Sequence, residues 1–261
     1  CARRYTNTNR AAVQKEEMEV SEWIIAIVIL LVTVLFIQNT QRKSESKSKP
    51  SVETSMVRPE DVLALIQRRR SIFPKDYTGA APPRAHVEAM LEAARWAPTH
   101  GKTEPWRFAI ISGDARQEFS NLCTEIMKDK LGSESPAFEK YLAKQERKRK
   151  DKAKVAHFIA IGMKRKANPE KVMPEWEEIA ATACAVQNMH LVATAYGVAS
   201  YWSSGGPIDD VRILDYLGLS KDDGDRCLGL FHVGMADPAR VAAYRAKRSS
   251  MADGERVRWI G

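Results

Sequence analysis

Apolar residues over 59–69 fall at Val62, Leu63, Leu65 and Ile66 among charged neighbours, the spacing of a helix with one apolar face. Helical patterns recur over 83–96, 115–130, 174–196 and 209–217, and a highly charged helical stretch runs on to residue 154. Between them, apolar runs over 107–111, 156–163, 199–203 and 227–233 are short and bounded by polar or turn residues, as buried strands are. Residues 179–195 are apolar or small on almost every face, the pattern of a helix buried on all sides. Strands separated by helices predict an α/β or α+β domain.

A different pattern precedes this domain. Residues 23–37, WIIAIVILLVTVLFI, carry no charge. Extended to 20–39, the stretch approaches the roughly 20 residues that cross a bilayer, with Trp23 suited to an interface. No small-x-small cleavage pattern follows Ile37, so the expected organisation is a polar tail over 1–19, a single transmembrane anchor over 20–39, a flexible linker over 40–57 and a catalytic domain over 58–261. Arg42, Lys43, Lys47 and Lys49 behind the span place the catalytic domain on the cytosolic side of the membrane.

The net charge of +8 raises the question of nucleic acid. Much of the excess sits in 140–154, which carries Lys140, Lys144, Arg147, Lys148, Arg149, Lys150, Lys152 and Lys154 against Glu146 and Asp151. No aromatic platform interleaves with it, so a solvated helix is the favoured reading and nucleic acid is not expected as a partner. The segment could also attract nucleotide phosphates or an anionic lipid surface. Four cysteines, Cys1, Cys123, Cys184 and Cys227, show no C-x-x-C or Cys/His ligand spacing, which argues against a disulfide framework or a zinc site. Cys184 is expected as a small core residue. His86, His157, His190 and His232 lack the spacing of a metal site or catalytic triad and are expected to be structural.

The candidate chemistry lies in residues 97–106, APTHGKTEPW, which pack two prolines, a glycine, a histidine and a carboxylate between a helical pattern and a strand. Pro98 stopping a helix and Gly101 relieving a turn would suffice as a structural reason for the loop. A second segment changes the balance. Arg68, Arg69, Arg70 and Ser71 close the 59–69 helix. Such a run complements a helix dipole, but guanidinium forks beside a hydroxyl also match phosphate oxygens, which suggests an anionic cofactor.

A helix ending in Arg-Arg-Ser, followed by Ala-Pro-Thr-His and a Pro-Trp, resembles the nitroreductase superfamily of flavin enzymes. Residues 175–206 are similar to that family's long central helix, strand and flavin-facing loop, and the likeness spans about 60–240. Trp202-Ser203-Ser204-Gly205 and the spacing from His100 to Pro105 look closest to the small bacterial NAD(P)H nitroreductases of the YdjA type; Thr103-Glu104-Pro105-Trp106 is also similar to iodotyrosine deiodinases. The resemblance implies an α+β fold with a mixed central sheet wrapped by helices, in an intertwined homodimer with shared FMN sites. It implies cofactor contacts from Arg69, Arg70 and Ser71 of one subunit and His100 and Glu104 of the other, with Trp202, Ser203 and Ser204 along the flavin ring and Arg240 at its phosphate. No side chain is required as a catalytic acid or base, and no metal is implied. The activity implied is ping-pong hydride transfer from NADH or NADPH, through FMN, to a small electron-poor acceptor such as a nitroaromatic or quinone. The alternatives are a deiodinase-like reductive dehalogenase and a non-catalytic flavin-binding module tethered to a membrane. Three positions depart from the pattern: Glu104 stands where many members carry glutamine, Ser203 where the YdjA group tends to carry arginine, and the stretch near Phe73 lacks a further arginine that many deiodinase-like members carry.

Overall fold

The computed structural model describes residues 57–166, 168–246, 248, 251 and 256–260. The tail over 1–19, the transmembrane anchor over 20–39 and all but the last residue of the linker over 40–57 lie outside the described residues. Among the described residues no helix is long and apolar enough to cross a membrane.

Seven α-helices, two short 3-10 helices (Pro74–Asp76 and His100–Lys102) and four strands follow in the described chain. Helix α1 (Pro59–Arg68) begins with proline at its first turn and Glu60 and Asp61 beside it, where fixed φ and negative charge favour a helix start. Helix α2 (Arg84–Ala94) leads through the 97–105 loop into β1 (Trp106–Ser112). Helices α3 (Ala115–Leu131) and α4 (Pro136–Ala153) come next; Ser135 caps α4 by accepting the Phe138 N–H at 3.1 Å. Then follow β2 (His157–Met163), α5 (Glu175–Ala195), β3 (Val198–Ser203), α6 (Val211–Tyr216), β4 (Arg226–Met235) and α7 (Pro238–Ala243).

The sheet order is β1-β2-β4-β3, and every neighbouring pair is antiparallel. The expected α+β architecture is present, but the expected mixed sheet is replaced by an antiparallel one among the described residues. The reason is topological. Two helices lie between β1 and β2, so the chain re-enters the sheet at the end it left, and Ser112 pairs with His157. Strands β2 and β3, joined through the single helix α5, do run parallel to each other, but β4 inserts between them and pairs antiparallel with both.

Side chains alternate across this sheet. On one face, Ile159, Ile161, Phe231 and Val233 pack with Met90 and Ala94 of α2 and with Ala185, Met189 and Ala193 of α5. On the other, Ile111, Phe158 and Ala160 pack with Phe119 and Ile126 of α3. Helix α5 is not buried on all sides as its composition suggests. Its outer stripe leaves Trp176 69% exposed, together with Ala180, Cys184 and Gln187, so Cys184 is not a core residue of the single chain. The apolar face of α1 is open as well, with Val62, Leu63 and Ile66 exposed and no residue of that helix buried.

One glycine fixes how β3 and β4 meet. The β2/β4 register shifts between Ile161 and Gly162, and opposite this irregularity Gly229 adopts φ +134°. A Cβ there would stand 2.3 Å from the Ser203 carbonyl oxygen and 2.6 Å from the Trp202 indole nitrogen. Backbone cannot yield as a side-chain tip can. Gly229→Ala is therefore expected to lower unfolding free energy by about 2–3 kcal/mol, read as a fall in the urea midpoint at unchanged slope.

Candidate functional site

The residues singled out in the sequence fall into two groups. The first gathers around the edge strand β3. Arg69 caps α1, and the chain then extends so that the Ile72 N–H donates to the Ser200 carbonyl of β3 at 3.0 Å. Helix α1 thus ends one residue earlier than the pattern predicts, and Arg70 and Ser71 lie on an extended segment beside β3.

His190 of α5 supports this segment from below. Its Nε2 lies 2.9 Å from the Arg70 carbonyl and its Nδ1 lies 3.5 Å from Arg69 Nη1. Guanidinium can only donate and a carbonyl only accept, so the ring is neutral with its proton on Nε2. Burial, followed by the nearby Arg69 charge, pushes its pKa down to about 4. Its place directly beneath two candidate cofactor residues is not readable from the sequence.

The guanidinium groups above it are crowded. Burial, then repulsion from Arg248 and Arg70, lowers the pKa of Arg69. Among the described residues neither Arg69 nor Arg70 pairs with a carboxylate, and Arg70 Nε is buried without an acceptor. Arg248 belongs to this cluster, and its contribution is invisible in the sequence because no motif surrounds it. Arg240 lies close to the same stretch of chain: its Nη1 donates to Asp76 at 3.3 Å, just after the Arg-Arg-Ser segment. The Tyr244 hydroxyl, and after it Arg240, hold the Asp76 carboxyl below its usual range.

The far end of β3 carries Trp202, Ser203 and Ser204. Trp202 Nε1 donates to the Leu228 carbonyl at 2.9 Å, with the side chain on the face that bears α5. Ser203 points to the opposite face, where its Oγ lies 2.9 Å from His232 Nε2. His232 is stacked on Tyr201, with ring centroids 4.5 Å apart, and its Nδ1 is buried without a partner. Burial, then Lys152 and Lys148, pushes its pKa down to about 3. Ser204 follows in an exposed loop.

The second group sits elsewhere. His100 Nδ1 lies 2.6 Å from Glu177 Oε2 in the first turn of α5. The loop is held by its own polar contacts: the Glu104 N–H donates to Thr99 Oγ1 at 3.3 Å and Arg107 Nη1 donates to the Glu104 carbonyl at 2.9 Å. Gly101, Lys102 and Glu104 all take positive φ, at +63°, +55° and +45°. For Lys102 and Glu104 that conformation costs on the order of 1–2 kcal/mol each, the kind of strain that functional loops retain.

One chain does not bring the two groups together. Glu177 and His190 are separated along α5 by about 20 Å at ~1.5 Å per residue. The loop feeds β1 and the Trp202-Ser203 segment ends β3, at opposite edges of the sheet, about 14 Å apart at ~4.8 Å per strand.

Both depressed histidines make stability depend on acid. In the unfolded chain each binds a proton near its ordinary pKa of 6.5, whereas in the fold each stays neutral to about 4 and about 3. Protonation therefore favours unfolding as pH falls through 6.5, and the loss is complete only below the folded values. His190 alone should contribute about 2 kcal/mol of destabilisation between pH 8 and pH 5. Urea midpoints across that range should fall for the wild type and fall less for His190→Gln.

The residues of a known family model, Nitroreductase family, match this chain over 66–235. A protein of Escherichia coli strain K12 assigned as an NAD(P)H nitroreductase, YdjA, is 28% identical over 177 residues, covering 67% of this chain and 87% of that protein. A nitroreductase-like family protein from Bacillus cereus shares the fold at TM-score 0.61 and 24% identity, over 79% of this chain and 99% of that one. The FMN-dependent nitroreductase NfnB from Mycobacterium smegmatis, solved in complex with NADPH, shares it at TM-score 0.56 and 17% identity, over 77% of this chain and 99% of its own. With the family's model running from the last turn of α1, through the Arg-Arg-Ser segment, to the end of β4, this chain belongs to the nitroreductase family.

Proposed function

We propose that the protein is an FMN-dependent NAD(P)H oxidoreductase that works as a homodimer and reduces small electron-poor acceptors such as nitroaromatics or quinones. The observation that carries this reading is the guanidinium pair of Arg69 and Arg70 beside β3, which repel one another, have no carboxylate partner among the described residues and leave a buried donor on Arg70 unanswered. A phosphate-bearing cofactor supplies the missing negative charge and acceptor. The homologue's name and NfnB's complex point to the same chemistry.

Arg69, Arg70 and Ser71 would hold the phosphate and ribityl end, with Arg240 as a further phosphate contact. Trp202, Ser203 and Ser204 would line the ring, and His100 and Glu104 would reach it from the other subunit. When bound, FMN supplies the two-electron chemistry that links nicotinamide to acceptor. The protein's part is to fix the guanidinium groups, which His190 does from below, and to place positive charge where the reduced cofactor gains negative charge. Two substrates using one pocket in turn give ping-pong kinetics.

Surface and distance support the dimer. Trp176, Cys184 and the apolar face of α1 form exposed apolar surface on adjoining helices, and within one chain His100 sits at the start of α5 while the arginine segment sits near its end. A second copy of the chain both covers the surface and completes the site. We also propose that residues 20–39 anchor the protein in a membrane with the catalytic domain on the cytosolic side; resistance to alkaline carbonate extraction tests it, and release into the supernatant would reject it.

The purified protein is expected to be yellow with a flavin spectrum that NADH or NADPH bleaches; a colourless protein that ignores added FMN would sink the proposal. Arg69→Ala should raise the Kd for FMN about 10- to 100-fold, the loss of a charge-assisted hydrogen bond. Shared sites make a sharper forecast. Co-expressing Arg69→Ala/Arg70→Ala chains with His100→Ala/Glu104→Ala chains should restore one intact site per mixed dimer, whereas either variant alone should bind FMN poorly. Failure of the mixture to recover flavin would rule out the cross-subunit site.

A further inference from the structure

The basic stretch in α4 is not used by the cofactor site, and although most of its side chains are exposed, as expected of a solvated helix, one row of them borders a cavity. Lys144, Lys148 and Lys152 recur every fourth residue, so they lie on one face of the helix. All of them line a cavity of about 1350 Å³ between α3, α4 and the sheet. Among the described residues Arg149 pairs with Glu146 and Lys154 with Asp151, while Lys144, Lys148 and Lys152 pair with no carboxylate. Lys152 instead donates to Gln145 Oε1 at 2.6 Å. Burial, then the charges of Lys148 and Lys144, lowers the pKa of the half-buried Lys152.

The floor of the same cavity is the end of β3 and its neighbour. Ser203, Gly205 and His232 line it, and His232 presents a buried Nδ1 that has no partner. The cavity is thus continuous with the ring-lining segment, and Phe73, Pro74 and Lys75, which follow the Arg-Arg-Ser segment, line it as well. It exceeds the ~300–1,000 Å³ usual for a small-molecule pocket, and so has room for an extended dinucleotide.

We infer that this cavity receives the phosphate-bearing half of NADPH, with the Lys144-Lys148-Lys152 row facing its 2′-phosphate and pyrophosphate, so that NADPH is preferred over NADH. The inference rests on the oxidoreductase reading above. Lysine suits the task because a flexible ammonium acts as a point charge on phosphate without a fixed fork geometry. The 2′-phosphate carries the negative charge that distinguishes the two nucleotides, and a lysine row without ion-pair partners among the described residues rewards it selectively, even though Asp114, Glu146 and Asp151 line the same cavity.

Calorimetric titration of the purified full chain with 2′,5′-ADP and with 5′-AMP tests this without any flavin turnover. The wild type should bind 2′,5′-ADP at least tenfold more tightly, and the advantage should shrink at high salt. In the Lys144→Gln/Lys148→Gln/Lys152→Gln variant the two ligands should bind within about twofold of each other. Equal binding by the wild type, or an unchanged ratio in the variant, would overturn the inference. Glutamine removes repulsion, so the thermal midpoint should not fall; if the triple variant nevertheless misfolds, Lys148→Gln alone should cut the ratio severalfold, and an unchanged ratio there overturns it equally. Because the readout is ligand binding, a protein unable to hold or reduce FMN would defeat the proposed function while still answering this question. Where flavin is reduced, the ratio of KM for NADPH to KM for NADH should rise in the variant by the same factor.

Discussion

The packing of α5 across the sheet is the contact from which the rest of the molecule is arranged. Ala185, Met189 and Ala193 lie against Phe231, Val233 and Ile159, and all of them are almost fully buried. Small side chains on the helix let it approach the strands closely, and each lost methyl group there would leave a void with no partner atoms. The same helix presents Glu177 to His100 near its start and His190 to the arginine segment near its end. One rigid element therefore sets the positions of both halves of the candidate site and the distance between them.

Much of the fold was legible because it rests on local periodicity. The helical patterns over 115–130 and 174–196 match α3 and α5 within a residue or two, and all four strands appear where apolar runs predict them. Strand direction was not legible. A helix between β2 and β3 suggests parallel neighbours, and only the late strand β4, by entering between them, makes the sheet antiparallel. Nor could composition distinguish an α5 surface covered by its own sheet from one left for another molecule; both need small and apolar residues.

The site was legible as residue types and obscure as contacts. Arg69, Arg70 and Ser71 stand out by their clustering, but His190, more than a hundred positions later, has no local feature that ties it to them. His232 is hidden in an apolar strand, where nothing signals that its ring meets Ser203. Lys144, Lys148 and Lys152 are visible in the sequence as part of a charged, largely exposed helix; that their row also borders a cavity depends on the position of α3 and the sheet, a tertiary fact. Glu104 was visible as a departure from the family; that it sits at positive φ is a property of the loop's hydrogen bonds and not of its composition.

The place of β4 also governs time. As the chain leaves the ribosome, β1 and β2 can pair as soon as α3 and α4 have formed, but β3 has no partner strand until residues 226–235 emerge. Until then β2 and β3 both present open apolar edges, a condition that invites association with other nascent chains. The sheet is completed by nearly the last regular element to be synthesised, so a truncation anywhere before β4 would remove not an appendage but the strand that joins its two halves.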